Sequence, residues 1–222
     1  TMSIQLDAAT RNNVLEAYEL SLNGQTLVAG TGVTGTALQP KLRMYSGTPG
    51  SMPATTATAP TGTQLINDMT LPADWAANAS AGAKALAGTW QTTGAAAAGA
   101  GTTAVYYRIY DNAGTTCKEQ GLVFGTVNLT TNALTAANGN VLNFAATTGV
   151  VVGMNVSGTG IPANTTVVAV TGTTVTLSNT STAGVANAAS ITFNGDITLD
   201  NVSIANGQTV TITSKTLTAP NA

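Results

Sequence analysis

Between Glu119 and Asp196 the chain runs for 76 residues without a single charged side chain. Short valine-rich segments at 150–152, 167–170 and 175–177 recur in this stretch, separated by turn sequences rich in Gly, Asn, Pro and Thr. Short β segments at such regular spacing are typical of small all-β sandwiches and barrels. We therefore predict an inserted β domain, residues 127–193, within an outer domain made of residues 1–126 and 194–222.

Charged residues are scarce outside this stretch as well. They make up 7% of the 222 residues, against about 25% in an ordinary globular chain. Disordered chains usually combine low hydrophobicity with high net charge, whereas here 43% of the residues are apolar and the net charge is −2. The chain is predicted to fold, and its low net charge favours association, including a homo-oligomer.

The composition excludes many kinds of catalytic and metal site. His is absent and Cys117 is the only cysteine, so there is no imidazole base, no Ser-His or Cys-His pair, no disulfide within the chain and no His- or Cys-based metal site. The small net charge gives no attraction to nucleic acid or to an anionic membrane. The sequence contains no run of 18 apolar residues and therefore predicts no transmembrane helix. We expect neither an enzyme nor a bound cofactor or metal.

One helix is predicted, near the start of the sequence. Asp7 can accept a hydrogen bond from the backbone at its first turn. Leu15, Tyr18 and Leu22 then follow at spacings of three and four residues, which places them on one helical face. Gly24 can end the helix in the left-handed conformation.

The remaining signals are those of strands, hairpins and loops. One hairpin is predicted to turn at residues 111–114 and a second at Asn206-Gly207, between strands 202–204 and 209–217. The second carries the strongest hairpin signal in the chain. The small-residue stretch 93–101 is expected to be a mobile loop.

The acidic residues offer weak candidates for chemistry. Asp196 and Asp200 are four residues apart, about 13 Å along a strand, whereas a glycosidase needs two carboxylates across a cleft at about 5–10 Å. Asp68 and Asp111-Asn112 could bind Ca²⁺, but no calcium-loop pattern accompanies them. Turn capping explains these acids better.

Other candidates have similarly plain explanations. The aromatic residues of the outer domain could form a platform for stacking on sugars, but packing in the core is the favoured interpretation. These residues are Trp75, Trp90, Tyr106, Tyr107 and Tyr110. Cys117 is expected to be a small buried side chain, with Lys118 on the opposite face of its strand.

Two further sequence features are assigned no chemistry. The glycines of 30–35 lack the following helix and the acidic residue that a nucleotide site needs. Glu16 and Glu19 are expected to be solvated, or to pair with basic groups of a neighbouring subunit.

Several blocks of the outer domain follow one another in a recognisable order: LPADW (71–75), KALAGTWQ (84–91), YRIYD (107–111) with Cys117, DITLDN (196–201) and SIANGQTVTI (203–212). Through these blocks the chain resembles small structural proteins of tailed-phage virions, of the decoration or cement type, and the resemblance covers residues 1–125 and 194–222. Family members pass directly from the strand after the cysteine to the acidic block, whereas this chain has 67 further residues there. That insert is similar to a β module of phage structural proteins in residues 153–162, 165–167 and 174–178.

The resemblance implies a non-enzymatic virion protein, assembled in the cytoplasm of the host bacterium. We expect a jelly-roll-like β-sandwich with one N-terminal helix and an inserted small β-barrel or Ig-like domain. The favoured function is capsid decoration: a symmetric homo-oligomer bound to the major capsid protein or other virion proteins on the head, with Thr1–Leu6 as a clamp and the insert projecting outward. The alternative is a tail fibre, tip or baseplate protein whose insert touches host glycans, although the insert holds only two aromatic residues, Phe144 and Phe193.

Overall fold

The computed structural model describes residues 6–28, 32–35, 37–48, 51–72 and 74–218. Over these residues the protein is mainly β, with one α-helix and a sheet that curls into a half-barrel. The chain divides into two compact units. The first unit comprises the described residues of 1–121 and 199–222, and the second unit comprises residues 122–198. The second unit contains the whole charge-free insert 127–193 and extends five residues further at each end.

The elements follow one another in a simple order along the chain. The first unit begins with α1 (Ala8–Leu22), β1 (Thr26–Val28), β2 (Gly32–Thr34), β3 (Lys41–Tyr45), β4 (Met69–Thr70), β5 (Ala83–Ala85), β6 (Gln91–Thr93), β7 (Thr102–Thr103), β8 (Tyr106–Tyr110) and β9 (Cys117–Leu122). The second unit follows with β10 (Val127–Thr130), β11 (Val141–Asn143), β12 (Asn155–Ser157), β13 (Thr165–Val170), β14 (Thr174–Leu177) and β15 (Ser190–Asn194). Strand β16 (Ile197–Leu199) contains the last two residues of the second unit and the residue at which the first unit resumes; the first unit then continues with β17 (Ser203–Ile204) and β18 (Thr209–Thr218).

Helix α1 forms where the sequence predicts it. The Asp7 side chain accepts a hydrogen bond of 2.7 Å from the Thr10 N–H, which satisfies one of the free donors of the first turn. Asn23 ends the helix and Gly24 follows in the left-handed region at φ +75°. Thr1–Gln5, which make up most of the expected clamp, lie outside the described residues.

Strand β18 is the common partner of β5 and β6 in one sheet of the first unit. Its start, Thr209–Thr211, pairs with β6, and its end, Thr216–Thr218, pairs with β5. A second sheet has the strand order β4-β3-β8-β9, and β3 and β8 pair along their full lengths. Its central strand β8 is buried on both faces.

One predicted hairpin is confirmed and the other is wrong. Strands β8 and β9 are neighbours joined at Asp111–Gly114, as expected. The chain also turns at Asn206-Gly207, but the strands on either side of that turn do not pair with each other: β17 pairs with β7, and β18 with β6. The turn is closed locally, since the Gln208 N–H donates to the Ala205 carbonyl, and distant partners also hold it: the N–H groups of Asn206 and Gly207 donate to the carbonyls of Gly99 and Gly94.

Six antiparallel strands form the sheet of the second unit, in the order β10-β15-β12-β13-β14-β11. An isolated bridge between Thr131 and Phe144 links the chain just after β10 to the chain just after β11. The rings of Phe144 and Phe193 meet edge to face in the core, with centroids 5.8 Å apart. They are packed with the buried aliphatic residues Leu142, Val150, Met154, Val156, Val167, Val175, Leu177, Val185 and Ile191.

The small-residue stretch 93–101 has more structure than expected. Residues Ala96–Ala98 form one turn of 3₁₀ helix, and the Ala98 side chain is buried. Alanine side chains are small enough to pack closely under this loop, which the sequence pattern alone does not indicate.

Candidate functional site

A buried lysine in the first unit contacts two carboxylates of α1. The Lys84 Nζ atom, carried by β5, lies 2.5 Å from Glu16 Oε2 and 2.5 Å from Glu19 Oε2. The remaining oxygens of the two glutamates accept backbone N–H groups, at 2.7 Å from Ala79 for Glu16 and at 3.4 Å from Ala76 for Glu19. We call Lys84, Glu16 and Glu19 the Lys84 cluster. The expectation that these acids are solvated or pair with another subunit was therefore wrong for Glu19, whose side chain is 10% exposed; Glu16 is 40% exposed but also pairs with Lys84 of its own chain.

Helical spacing explains why Glu19 is buried. It follows Leu15 by four residues and precedes Leu22 by three, so all three share the buried face of α1. Burial disfavours the charge of Lys84, but its contacts with Glu16 and Glu19 outweigh burial and raise the pKa of this lysine. Burial likewise opposes the charge of Glu16, and the hydrogen bonds from Ala79 and Lys84 outweigh it and lower the Glu16 pKa.

A second buried cluster joins α1, β8, β9 and β18. Glu119 accepts hydrogen bonds from the hydroxyls of Tyr18 and Tyr107 and forms a salt bridge with Lys215. Lys215 Nζ also donates to the Tyr107 hydroxyl at 2.9 Å. Burial raises the Glu119 pKa, but Lys215 and the tyrosine hydroxyls outweigh it, and the net effect is a lowered pKa. We call these four residues the Glu119 cluster.

An open pocket of about 550 Å³ lies beside the loop of residues 56–62. Its lining includes two arginines, Arg43 and Arg108, and two tyrosines whose hydroxyls are 3.0 Å apart, Tyr45 and Tyr110. The Arg43 guanidinium lies over the Tyr110 ring, 4.6 Å from its centroid. The pocket is therefore polar and aromatic in character.

The two arginines of this pocket are already bonded within the protein. Arg43 forms a bidentate pair with Asp68, at 2.6 and 2.9 Å. Arg108 is 1% exposed and donates to the carbonyls of Thr56 and Thr58 and, at 3.0 Å, to Cys117 Sγ. Both cations hold loops and strands together, which leaves the pocket without a free cation to attract an anionic ligand.

Cys117 is buried, as the sequence predicts, and Lys118 is exposed on the opposite face of β9. The surroundings of the thiol are more polar than those expected for a small apolar side chain. The Sγ atom accepts a hydrogen bond from Arg108, and the thiol donates one to the Glu119 carbonyl at 3.2 Å. Its neighbours fix it as part of the framework under the 56–62 loop.

The other acidic candidates mostly cap backbone groups. Asp111 accepts from the Thr115 and Thr116 N–H groups, and Asp200 from the Asn201 and Thr211 N–H groups, so the turn-capping interpretation of both is confirmed. Asp196 accepts the Leu122 N–H at 2.8 Å.

Asp68 differs from these acids. The expectation of turn capping was wrong for it, because Arg43 of the neighbouring strand β3 reaches its carboxylate.

The aromatic residues of the first unit belong to its core. Trp75, Trp90, Tyr106, Tyr107 and Tyr110 are each 6% exposed or less. The Trp75 and Trp90 rings meet edge to face with centroids 5.7 Å apart. The interpretation as core packing rather than a sugar-stacking platform is confirmed for these side chains. The glycine segment 30–35 lies partly outside the described residues.

Sequence reasoning missed the buried charges Lys84, Arg108, Glu119 and Lys215. A usable signal existed only for Lys84: Glu16 and Glu19 lie one helical turn apart, and Glu19 falls on the apolar face, where a carboxylate needs a cationic partner. Lys215 and Glu119 stand in strands that give no comparable pattern, and they meet only through the tertiary fold.

Within the described ranges, no group of three or more His, Cys, Asp or Glu side chains is arranged to hold a metal ion. No helix in the described part of the chain is long and apolar enough to span a membrane. Comparison of the chain with protein-family models, with curated proteins and with solved structures found no match.

Proposed function

We propose that this chain is a non-enzymatic structural protein of a phage virion, most specifically a decoration protein that binds the outer surface of the capsid. The observation that carries the proposal is that nearly all of its carboxylates are bonded to other groups of the same chain. Eight of the nine are hydrogen-bonded or ion-paired within the fold, namely Asp7, Glu16, Glu19, Asp68, Asp111, Glu119, Asp196 and Asp200.

This use of charge supports a binding surface rather than an enzyme active site that acts on a substrate. A general acid or base must be within reach of a substrate, with a pKa matched to its task. Here Glu119, whose side chain is 12% exposed, is bonded by Lys215, Tyr107 and Tyr18, and its pKa is shifted down, which favours the charged form. Such a carboxylate stabilises the fold and is poorly suited to proton transfer.

The surface that remains suits extended contact with other proteins. Exposed large aliphatic side chains occur in both units, at Val14, Val28 and Leu38 in the first and at Leu134, Val141, Val152 and Val168 in the second. Thr-rich strands present hydroxyl and methyl groups together, which supports shape-complementary contacts that need few charges. A ligand that binds only the assembled lattice stabilises that lattice by mass action.

In this proposal the first unit is a sandwich of jelly-roll type that contacts the major capsid protein or other virion proteins. The second unit is the inserted small barrel or Ig-like module, and the protein binds as a symmetric homo-oligomer. The tail alternative, a fibre, tip or baseplate protein contacting host glycans, receives less support. Phe144 and Phe193 are 1% and 0% exposed and cannot stack on a sugar from the surface.

The first experiment is immunogold labelling and cryo-EM of particles of the phage that encodes this chain. Density for the chain distributed over the head lattice is the expected result. A few copies confined to the tail would overturn the decoration proposal and favour the tail alternative.

Matched variants assign the contact to a unit. Val14→Asp places a charge on the exposed face of α1, where the side chain is 48% exposed, and Leu134→Asp does the same on the second unit at 69% exposed. We expect Val14→Asp to weaken binding to chain-free heads and Leu134→Asp to leave it unchanged. The reverse pattern would contradict the assignment of capsid contacts to the first unit.

A deletion tests the same assignment on a larger scale. A chain lacking 127–193, with its ends joined, is expected to stay folded and to bind heads. Loss of head binding by a folded deletion variant would show that the second unit makes the contact.

A further inference from the structure

The Lys84 cluster brings a primary amine and two carboxyl groups together inside the protein. Lys84 is completely buried in its side chain, and its Nζ atom touches one oxygen of Glu16 and one of Glu19. Effective concentrations of groups held in reactive contact reach about 10⁵ M or more, which allows reactions that are negligible between free side chains. An amine held against a carboxyl group can form an amide by losing water.

We propose that the Lys84 cluster forms an intramolecular amide bond between Lys84 Nζ and Glu19 Cδ, with Glu16 as the group that transfers protons. The bond would join β5 to α1 across 65 residues of sequence. This inference is independent of the proposed role in a virion, because it rests only on the cluster itself.

The two glutamates differ in the ways that these roles require. The Glu19 side chain is 10% exposed and, apart from Lys84, its contact is a long one of 3.4 Å from the Ala76 N–H. The Glu16 side chain is 40% exposed and is oriented by a 2.7 Å hydrogen bond from the Ala79 N–H. Glu19 is therefore the buried electrophile, and Glu16 connects the cluster to solvent.

Protons and atoms balance without any other reactant. The Lys84 ammonium gives one proton to the Glu19 carboxylate, and the neutral amine then attacks Glu19 Cδ while Glu16 accepts a second proton from nitrogen. The Cδ–OH bond of the tetrahedral intermediate breaks, and Glu16 returns its proton to the departing hydroxyl, which leaves as water. The amide nitrogen keeps one hydrogen and Glu16 is again a carboxylate.

The surroundings favour the amide over its hydrolysis. The region beside Lys84 that is lined by Trp75 and Trp90 has no space for a water molecule. Water is a product of the reaction, so its exclusion opposes the reverse step. The half-exposed Glu16 marks the side from which the released water can leave.

The Glu119 cluster provides an internal comparison. Its carboxylate accepts bonds from Tyr18, Tyr107 and Lys215, whereas apart from Lys84 the Glu19 carboxylate has only the long contact of 3.4 Å from the Ala76 N–H. Within the described residues no second carboxylate contacts Lys215 Nζ to accept its protons. We expect this pair to remain an ion pair, which makes Lys215→Arg a matched control.

Intact mass spectrometry of the denatured full chain tests the proposal. The expected mass is lower than the sequence mass by one water. Trypsin should yield residues 12–41 joined to residues 44–108, with no cleavage at Lys84, and fragmentation should place the bond on Glu19. A wild-type chain that keeps its full sequence mass after prolonged incubation in the folded state overturns the proposal, whatever the variants do.

Three variants define the roles of the residues. Lys84→Arg and Glu19→Ala are expected to show the full mass of their sequences, whereas Lys215→Arg should lose one water like the wild type. Glu16→Gln should slow the loss of water by about 100-fold, the usual size of a general acid–base contribution. A bond mapped to Glu16, or an unchanged rate in Glu16→Gln, would contradict the assigned roles.

Discussion

At the scale of single residues, the main feature is a set of charged side chains placed inside the first unit. Glu119 is the clearest case, because its side chain is 12% exposed and bonded to Lys215 and two tyrosines. Removing one partner of a buried ion pair leaves the other charge without compensation, which typically costs about 3–5 kcal/mol.

We therefore predict that Glu119→Gln lowers the free energy of unfolding of the first unit by about 3–5 kcal/mol, since Lys215 would keep its charge in a buried position. Urea denaturation followed by tryptophan fluorescence measures the change, because Trp75 and Trp90 both lie in this unit. Lys118→Gln, an exposed change on the same strand, is the control, expected within about 0.5 kcal/mol of wild type. A loss no larger than that of the control would show that the ion pair contributes nothing.

The lowered pKa of Glu119 predicts how the stability of the first unit depends on pH. The folded pKa of Glu119 lies below the ordinary value of 4.5, and that of Asp68 below 3.8. The unfolded chain therefore binds more protons in this range, so the stabilisation is complete above the ordinary values and is lost as pH falls through the lowered folded values. With no His in the chain, we expect no histidine-dependent step between about pH 5 and 8.

Urea midpoints measured from neutral pH down to about pH 2 test this expectation. The decline below about pH 4.5 should be shallower in Glu119→Gln, which cannot titrate at this position. An identical acid profile for the variant and the wild type would contradict the role given to Glu119.

At the scale of elements, close backbone approach decides which strands pair. Gly94 forms two backbone hydrogen bonds with the Asn206-Gly207 turn. Its N–H donates to the Gln208 carbonyl, and its carbonyl accepts from the Gly207 N–H. A Cβ atom at this position would lie 1.9 Å from the Ala205 carbonyl oxygen. Glycine at position 94 therefore allows β6 to lie against the turn that the sequence presents as an isolated hairpin.

We predict that Gly94→Ala destabilises the first unit by about 1–3 kcal/mol, the usual cost of forcing extra volume into a packed site. Hydrogen exchange at Thr209–Thr211, where β18 pairs with β6, should accelerate in this variant. Gly172→Ala, in the second unit, is the control: a Cβ there would meet nothing within 4 Å, so neither unit should lose stability. Equal stability of the two variants would argue against the close contact.

Local sequence signals were sufficient for α1, for the β8–β9 hairpin and for the turn at Asn206-Gly207, and insufficient for the pairing of the strands on either side of that turn. Asp7, Gly24 and Asp111 act through neighbours a few residues away, so their roles are visible in sequence. The pairing of β17 with β7 depends on contacts about 100 residues apart. The same limit explains the missed Lys215–Glu119 pair, whose members are 96 residues apart.

At the scale of the whole molecule, the two units have separate cores. The second unit builds its core around Phe144 and Phe193 without any contribution of charge. Compact units with their own cores are expected to unfold as separate cooperative transitions.

We predict that Phe144→Ala lowers the stability of the second unit by about 3–5 kcal/mol and leaves the transition of the first unit in place. Calorimetry of the full chain, with tryptophan fluorescence reporting on the first unit alone, measures both transitions. Val168→Ala, at a position 48% exposed, is the control expected to change little. A single transition that shifts as a whole in Phe144→Ala would show that the units unfold as one.

The position of β18 has a consequence for how the protein is made. A ribosome synthesises residues 122–198 before Thr209–Thr218, the strand that β5 and β6 both need as a partner. All strands of the second unit therefore emerge ahead of β18, and the second unit can complete its sheet while the first unit, begun earlier, still lacks β18. The half of the molecule that is translated first is the half that is finished last.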